Sequence, residues 1–140
     1  MFLNPIVSMP ANAANKIVGR RAKSLLKSSA TIDSQKLEYL RTDKPEIEVM
    51  LVEIKPDGQS GRHMHPVPTL VYVLEGILTV ELDDGSRHKC QAGNVVLEVI
   101  HTWHNARNMG RKSLKLLAIY LGEKGRPNLL RPTRKQFQSG

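Results

Sequence analysis

The chain has 140 residues, one cysteine and a formal net charge of +8 at pH 7. This length suits a single domain that buries its own apolar core, and one cysteine excludes both an internal disulfide and a cysteine-based zinc cluster. No apolar run approaches the roughly 20 residues of a membrane-spanning helix, so we expect a soluble, cytoplasmic protein.

The positive charge is concentrated at the two ends. Residues 1–30 carry five Lys/Arg and no acid, residues 31–105 carry seven against twelve acids, and residues 106–140 carry nine against one. Two Phe and one Trp provide no ladder of aromatic side chains for stacking on bases. Nucleic acid is therefore not expected as a partner. A further hypothesis is that the protein is an adaptor that binds nucleic acid or an anionic membrane through residues 14–27 and the C-terminal tail. Only the charge of these segments supports it.

Three segments are expected: a basic N-terminal arm over residues 1–30, a single β-barrel domain over residues 31–125 and a basic C-terminal tail over residues 126–140. Between Ile17 and Leu26, aliphatic residues recur at roughly helical spacing among arginines and lysines. This pattern is typical of a short basic amphipathic helix or of a transit-like leader. The tail, rich in proline and basic residues, is expected to form a strap or a disordered end.

From Glu46 onward the apolar pattern has period two, which indicates β-strands. The predicted strands are EIEVMLVEI, LVYVL, ILTVEL, RHKC, VVLEV and LKLLAIYL, over residues 46–54, 70–74, 77–82, 87–90, 95–99 and 114–121. The first of them is expected to be half-buried. Turns are predicted at the glycine-containing segments PDGQSG and DDGS. Short strands with no long helix between them indicate an all-β sandwich or barrel.

Two histidines, His63 and His65, stand one residue apart before a predicted strand, in GRHMHPVPTLVYVLEG. Alternate side chains of a strand share a face, so these imidazoles are expected to project together at a spacing that suits a metal ion. An exposed polar pair on a strand edge is the alternative. About forty residues further on, His104 is expected to face them across the lumen of an antiparallel barrel. Three neutral imidazoles leave coordination positions open, as in catalytic metal sites.

Together, these stretches resemble the paired motifs of the cupin superfamily of small β-barrels. The motifs are G-x5-H-x-H-x3,4-E-x6-G and G-x5-P-x-G-x2-H-x3-N, and the resemblance covers roughly residues 45–122. The matching residues are His63, His65 and Gly76 in the first motif and Gly93, His104 and Asn108 in the second. The resemblance implies an all-β double-stranded β-helix, or jelly-roll barrel, with a short N-terminal arm or helix and a C-terminal strap.

The resemblance also implies one divalent transition metal bound by His63, His65 and His104. Iron, zinc, nickel and manganese all remain candidates, because imidazole accepts most of these ions. The sequence departs from the motif at Thr69, where a glutamate is expected to complete the metal shell. A threonine hydroxyl is a poor ligand for divalent metals.

Two further residues are candidates for catalysis. Glu98 lies six residues before His104 and has the same strand parity if no bulge intervenes, so it is a candidate for a recruited carboxylate; an outward-facing strand carboxylate is the alternative. His101 stands where the second motif has its turn glycine. It is a candidate general base or oxyanion-holding residue, with a solvent-exposed turn residue as the alternative.

The function implied by the resemblance is that of a metal-binding cupin acting on a small organic molecule as an oxidoreductase such as a dioxygenase, an isomerase or a lyase. A non-catalytic ligand-binding or sensor module on the same barrel is the alternative, which the missing glutamate favours slightly. Val71 and Val73 are expected to line the site and suit a partly apolar ligand, whereas Tyr72 alternates to the outside. A homodimer is expected, because small cupins pair through barrel faces or swapped terminal strands.

Overall fold

The structure is a computed structural model that describes the chain from Lys16 to Phe137. In chain order it contains β1 Pro45–Ile54, β2 Thr69–Glu75, β3 Ile77–Leu82, β4 Arg87–Gln91, β5 Val95–Leu97, β6 His104–Arg107, β7 Leu114–Glu123 and the short helix α1 Arg134–Phe137. No helix among the described residues is long and apolar enough to cross a membrane. The first half of the predicted N-terminal arm, residues 1–15, lies outside the described residues.

The strands form two antiparallel sheets. Their orders are β1-β7-β2-β5 and β4-β3-β6. Strands β3 and β4 form a hairpin, whereas β2 pairs with β7 and β3 with β6, so that chain segments distant in sequence become neighbours. The all-β prediction is confirmed, and the two sheets are consistent with a jelly-roll barrel.

The core lies between the two sheets and is mainly aliphatic. Period two along each strand sends alternate side chains inward, as at Val71 and Val73 on β2 and Leu114 and Leu116 on β7, all of which are buried. Each such burial contributes about 1.5–3 kcal/mol to stability. Tyr72 alternates out of this core and is only half-buried, in agreement with the prediction.

Strand β5 ends two residues earlier than the sequence pattern predicts. The Glu98 N–H still donates to the Thr69 carbonyl on β2, at 2.9 Å, but beyond Glu98 side chains accept from the backbone N–H groups that would otherwise extend the ladder. The Val99 N–H donates to the Glu98 carboxylate at 3.0 Å, and the Ile100 N–H donates to the Gln35 side-chain oxygen at 3.2 Å. The apolar pattern through Val99 therefore marks burial rather than continued strand pairing.

In the N-terminal half, the helix alternative for the first segment does not hold, whereas the arm alternative is not contradicted, and the prediction of a half-buried β1 is wrong. The segment from Lys16 to Ser29 contains no helix, and Ile17 and Val18 are 71% and 77% exposed. A short helix in water needs a surface on which to pack its apolar stripe, and these side chains have none in the described part of the chain. Strand β1 is also more exposed than the half-buried strand that was predicted, because it lies at the edge of its sheet.

Two glycines in left-handed conformation allow a test of the packing between the sheets. Gly76, with φ of 80°, connects β2 to β3, and an added Cβ would lie 2.7 Å from the Ser113 carbonyl oxygen. Gly85, with φ of 85°, lies in the β3–β4 turn, where an added Cβ would meet nothing within 4 Å. The two positions share backbone strain and differ in available space.

We expect Gly76→Ala to lower the free energy of unfolding by about 3–5 kcal/mol, because strain and a backbone clash act together. Gly85→Ala should cost only about 1–2 kcal/mol from strain. Urea unfolding followed by circular dichroism measures both. Equal losses at the two glycines would show that the close approach at Gly76 does not contribute.

Candidate metal centre

Backbone pairing brings the three predicted ligand histidines together. The His63 N–H donates to the His104 carbonyl at 2.8 Å, and the His104 N–H donates to the His63 carbonyl at 2.9 Å. His65 follows His63 by two residues in the chain, and its imidazole projects to the same side. The potential ligand atoms of the three imidazoles all lie within 4.8 Å of one another, and all three residues are buried. The exposed-pair alternative for His63 and His65 is therefore wrong.

Each imidazole is oriented by a backbone carbonyl that contacts its Nδ1. The acceptors are the carbonyl oxygens of Gly61, Asn128 and Thr102, at 2.7, 2.9 and 2.8 Å from His63, His65 and His104 respectively. Because a carbonyl only accepts, the proton of each neutral ring resides on Nδ1. The lone pairs are consequently on Nε2, and the Nε2 of His104 is buried without a hydrogen-bond partner among the described residues. This donor set fits a divalent metal ion.

The electrostatics of the cluster favour neutral imidazoles. Burial, aided by the nearby His104, lowers the pKa of His63 to about 3, and burial lowers the pKa of His65 to about 4. Both values lie well below the usual 6.5, so the two rings are unprotonated on Nε2 at neutral pH. Metal binding at that pH therefore requires no proton release from these side chains.

The predicted carboxylate, Glu98, faces the interior. Its N–H donates to the Thr69 carbonyl at 2.9 Å, which places the two residues side by side on neighbouring chain segments. Its carboxylate Oε1 lies 4.0 Å from Nε2 of His104, and only 3% of the residue is exposed. Burial raises the pKa of this carboxyl, against the opposing effect of His104. The outward-facing alternative for Glu98 does not hold.

Thr69 faces the same interior space but uses its hydroxyl locally. The hydroxyl donates to the Val67 carbonyl at 3.0 Å, and the residue is 1% exposed. Position 69, where the resembled motif has a glutamate, therefore carries no carboxylate in this chain. The nearby carboxylate is that of Glu98, on the neighbouring chain segment.

The second catalytic candidate, His101, is not brought into the interior. It is exposed, adopts φ of 53° in place of the motif glycine, and lines a shallow surface depression together with Tyr39 and Pro68. Its backbone N–H donates to the His65 carbonyl at 3.0 Å. His101 thus supports the backbone at a ligand position, and the predicted catalytic role of its side chain stays a prediction.

Sequence reasoning missed the contribution of the C-terminal strap, here defined as residues 126–131. Besides the Asn128 carbonyl that holds His65, Leu130 exchanges two backbone hydrogen bonds with Met64, at 2.8 and 3.0 Å. The Arg131 guanidinium donates to the Ser60 carbonyl at 2.7 Å. Since most of these contacts use backbone atoms, no residue type in the tail reveals them. The strap closes over the loop that carries the first two histidines.

A cavity of about 630 Å³ opens next to the histidines. Its lining includes His63, His65, Thr69 and Glu98, and apolar side chains from β1, β2, β3 and β7 form part of the walls. Charged side chains also line it: Glu46, Glu48 and Glu53 from β1, and Arg126 and Arg131 from the strap. Val71 lines the cavity, as predicted, whereas Val73 does not and packs in the core. This volume lies within the range of small-molecule sites, which combine apolar walls with a few convergent polar groups.

Residues 50–120 match the family model described as Cupin domain. Similar solved structures include BH2720 from Bacillus halodurans, which is 25% identical with a TM-score of 0.51 over 67% of this chain and 76% of that chain. Lactobacillus farciminis oxalate decarboxylase is 23% identical with a TM-score of 0.54, over 67% of this chain and 28% of that chain. The polyketide cyclase RemF from Streptomyces resistomycificus is 18% identical with a TM-score of 0.52, over 66% of each chain. No curated protein matches the sequence significantly.

The strap contact to His65 is open to a direct test through Gly122 on β7. A Cβ added there would lie 2.6 Å from the Asn128 side-chain oxygen, so Gly122→Ala forces the Asn128 side chain to turn beside the backbone carbonyl that contacts His65. We expect affinity for Zn²⁺ to fall by no more than about 10-fold, because the clash is with the end of a side chain and the carbonyl that orients His65 stays largely in place. Competition with a chromophoric chelator measures it.

The matched control is Gly110→Ala, whose Cβ would make only an ordinary 3.4 Å contact with Asn108. It should bind Zn²⁺ as the parent protein does. If Gly122→Ala also bound Zn²⁺ with parental affinity, the position of the Asn128 side chain would have no influence on the carbonyl that orients His65.

Proposed function

The chain belongs to the cupin family, and we propose that it is a metal-dependent enzyme acting on a small organic molecule inside the barrel. One observation carries the proposal. A buried carboxylate, Glu98, lies beside three convergent imidazole nitrogens and lines the same cavity. A ligand-binding pocket needs no buried ionisable group of this kind, whereas proton transfer at a metal centre does.

His63, His65 and His104 would hold the metal through Nε2. The set suits iron, zinc, nickel or manganese, since imidazole accepts each of these ions. When bound, the ion supplies Lewis-acid polarisation of substrate oxygens, or redox chemistry with dioxygen if it is iron. The protein contributes the orientation of the three rings and a cavity of which apolar side chains form part of the walls.

Glu98 would act as the proton-transfer group. Its Oε1 accepts the Val99 N–H, which fixes the carboxylate toward the cavity, 4.0 Å from Nε2 of His104. In this position it can take up a proton from a bound substrate and return it to the product. Because Glu98 is adjacent to Thr69, we further propose that it replaces, from the neighbouring segment, the glutamate that the family motif has at position 69.

Metal content tests the ligand assignment. We expect the purified protein to contain about one equivalent of a divalent transition metal by mass spectrometry, and His63→Ala, His65→Ala and His104→Ala each to lose most of it. His88→Ala, on β4 and outside the cluster, is the control and should keep its metal. Circular dichroism should show unchanged β-structure in all variants, because the core is aliphatic. Full metal content in all three cluster variants would remove these histidines as ligands.

Glu98→Gln tests catalysis, because it keeps the shape of the side chain and removes the proton acceptor. Metal-loaded parent and variant are incubated with a small-metabolite extract, and consumption is followed by mass spectrometry. We expect a compound that the parent consumes to persist at least about 100-fold longer with Glu98→Gln, in line with the loss of a general base. A compound that is retained by the parent protein and never converted would instead support the binding or sensor module.

Moving the carboxylate from position 98 to position 69 gives a sharper test of whether Glu98 replaces the motif glutamate. Glu98→Thr alone should lose turnover, and the double variant Thr69→Glu/Glu98→Thr should recover part of it, since it returns the carboxylate to the motif position. Equal inactivity of the single and double variants, both with parental metal content, would mean that the two positions are not interchangeable.

A further inference from the structure

The phenol of Tyr120 is a buried polar group that faces the cavity. Tyr120 is one of the inward residues that alternate along β7, and only 6% of it is exposed. It lines the cavity, and its hydroxyl has no hydrogen-bond partner among the residues that the structure describes. A buried tyrosine hydroxyl normally finds such a partner. This one is therefore free to donate to a molecule inside the cavity.

The ring of Tyr120 packs against the histidine cluster. Its centroid lies 5.4 Å from that of the His65 imidazole, and the two planes are inclined by 49°. Aromatic rings at this separation are in contact. The phenol therefore belongs to the part of the cavity that the histidines border.

Strand register places Tyr120 in a row of side chains that carry oxygen atoms. Tyr120 pairs with Glu48 on β1 and with Thr69 on β2, and residues directly opposite each other on neighbouring strands share a face of the sheet. The Glu98 N–H donates to the Thr69 carbonyl at 2.9 Å, which extends the row by one residue. All four residues line the cavity. In order, the row presents a carboxylate, a phenol, an aliphatic hydroxyl and a second carboxylate.

Within this row, Tyr120 is the residue with a proton to donate. In their ionised forms, the carboxylates of Glu48 and Glu98 only accept hydrogen bonds. The Thr69 hydroxyl already donates its proton to the Val67 carbonyl at 3.0 Å. Burial raises the pKa of Tyr120, and the nearby Glu48 and Glu98 raise it further, so the phenol keeps its proton at neutral pH. The row therefore offers one donor between two acceptors.

We propose that Tyr120 is a substrate-binding residue whose hydroxyl donates a hydrogen bond to an uncharged carbonyl oxygen of the substrate. This inference rests on the proposed function, which places the substrate in this cavity. An anionic group beside Tyr120 would face Glu48 on one side and Glu98 on the other, and like charges at close range repel. Ketones, aldehydes, esters and amides therefore fit the row better than free carboxylates. The same donor stabilises negative charge that develops on the carbonyl oxygen during reaction.

The two cavity-lining arginines are held on the strap and not on the sheet that carries the row. Arg126 pairs with Glu123 at 2.8 Å, which offsets its charge. The Arg131 guanidinium donates to the Ser60 carbonyl at 2.7 Å, which fixes it on the loop before the first histidine. Neither arginine belongs to the row around Tyr120, so the preference for an uncharged group there stands.

Binding of acetophenone, a neutral ketone, tests the proposal by isothermal titration calorimetry on zinc-loaded and on metal-free protein. Tyr120→Phe removes only the hydroxyl and should bind acetophenone about 3–10-fold more weakly than the parent protein, the effect of losing one neutral hydrogen bond. The matched control is Tyr72→Phe, the same substitution at an outward position of β2, which should bind acetophenone as the parent does. Benzoate has nearly the same shape and carries a negative charge. It should bind the metal-free parent protein more weakly than acetophenone does.

Nuclear magnetic resonance reads the hydroxyl in the parent protein itself, so the proposal stays testable if Tyr120→Phe fails to fold. The chain has three tyrosines, Tyr39, Tyr72 and Tyr120, and ¹³C at the Cζ atom of each gives a resonance that responds to hydrogen bonding of the hydroxyl. Substitution of single tyrosines by phenylalanine assigns them. Saturation with acetophenone should shift the Tyr120 resonance and leave those of Tyr39 and Tyr72 in place.

Parental affinity of Tyr120→Phe for acetophenone, or an unmoved Tyr120 resonance, overturns the proposal. So does a parent protein that binds no acetophenone up to its solubility limit, or one that in its metal-free form binds benzoate at least as tightly as acetophenone. A parent protein without metal affinity would contradict the proposed function alone, because the Tyr120 resonance is read with and without Zn²⁺.

Discussion

The reciprocal backbone pairing between His63 and His104 is the constraint on which the site depends. Two hydrogen bonds of 2.8 and 2.9 Å join residues that are far apart in sequence, and they place both imidazoles on one side of the bridge. Because a strand rises only about 3.3 Å per residue, a shift of this pairing by one residue would turn a histidine out of the cluster. The barrel strands on either side keep the register.

The rings are then held mainly by backbone carbonyls, with the Ser60 hydroxyl as a further contact of His63 Nδ1 at 3.2 Å. Three carbonyl oxygens, one of them from the C-terminal strap, fix the tautomer of every histidine in the cluster. Carbonyls cannot change their protonation state, so this arrangement directs Nε2 inward at any pH at which the protein is folded. The strap is therefore part of the site, although it lies outside the barrel strands.

The site is costly for the protein to build. An unpartnered buried polar atom such as Nε2 of His104 costs about 1–3 kcal/mol, and burial of Glu98 disfavours its charged form, which raises its pKa. The aliphatic core offsets these costs through residues such as Val73 and Leu78, which are almost fully buried. Buried ionisable groups gathered in this way are typical of sites that serve function rather than stability.

Local pattern in the sequence determined the strands and much of the candidate site. Period-two alternation identified ILTVEL as β3 with its observed bounds, and the spacing of His63 and His65 indicated that they share a face. The same alternation separated Val71 and Val73 in the core from Tyr72 outside it. These features are local, because side-chain direction along a strand follows from backbone geometry alone.

Only the tertiary structure decided which distant segments meet. The inward direction of Glu98 follows from its pairing with Thr69, and the exposure of β1 follows from its place at the sheet edge. The same is true of the strap, which acts on His65 through a carbonyl group that every residue type carries. Helical spacing near Ile17 misled for the same physical reason, since an amphipathic pattern forms a helix only where the fold supplies a surface to pack against.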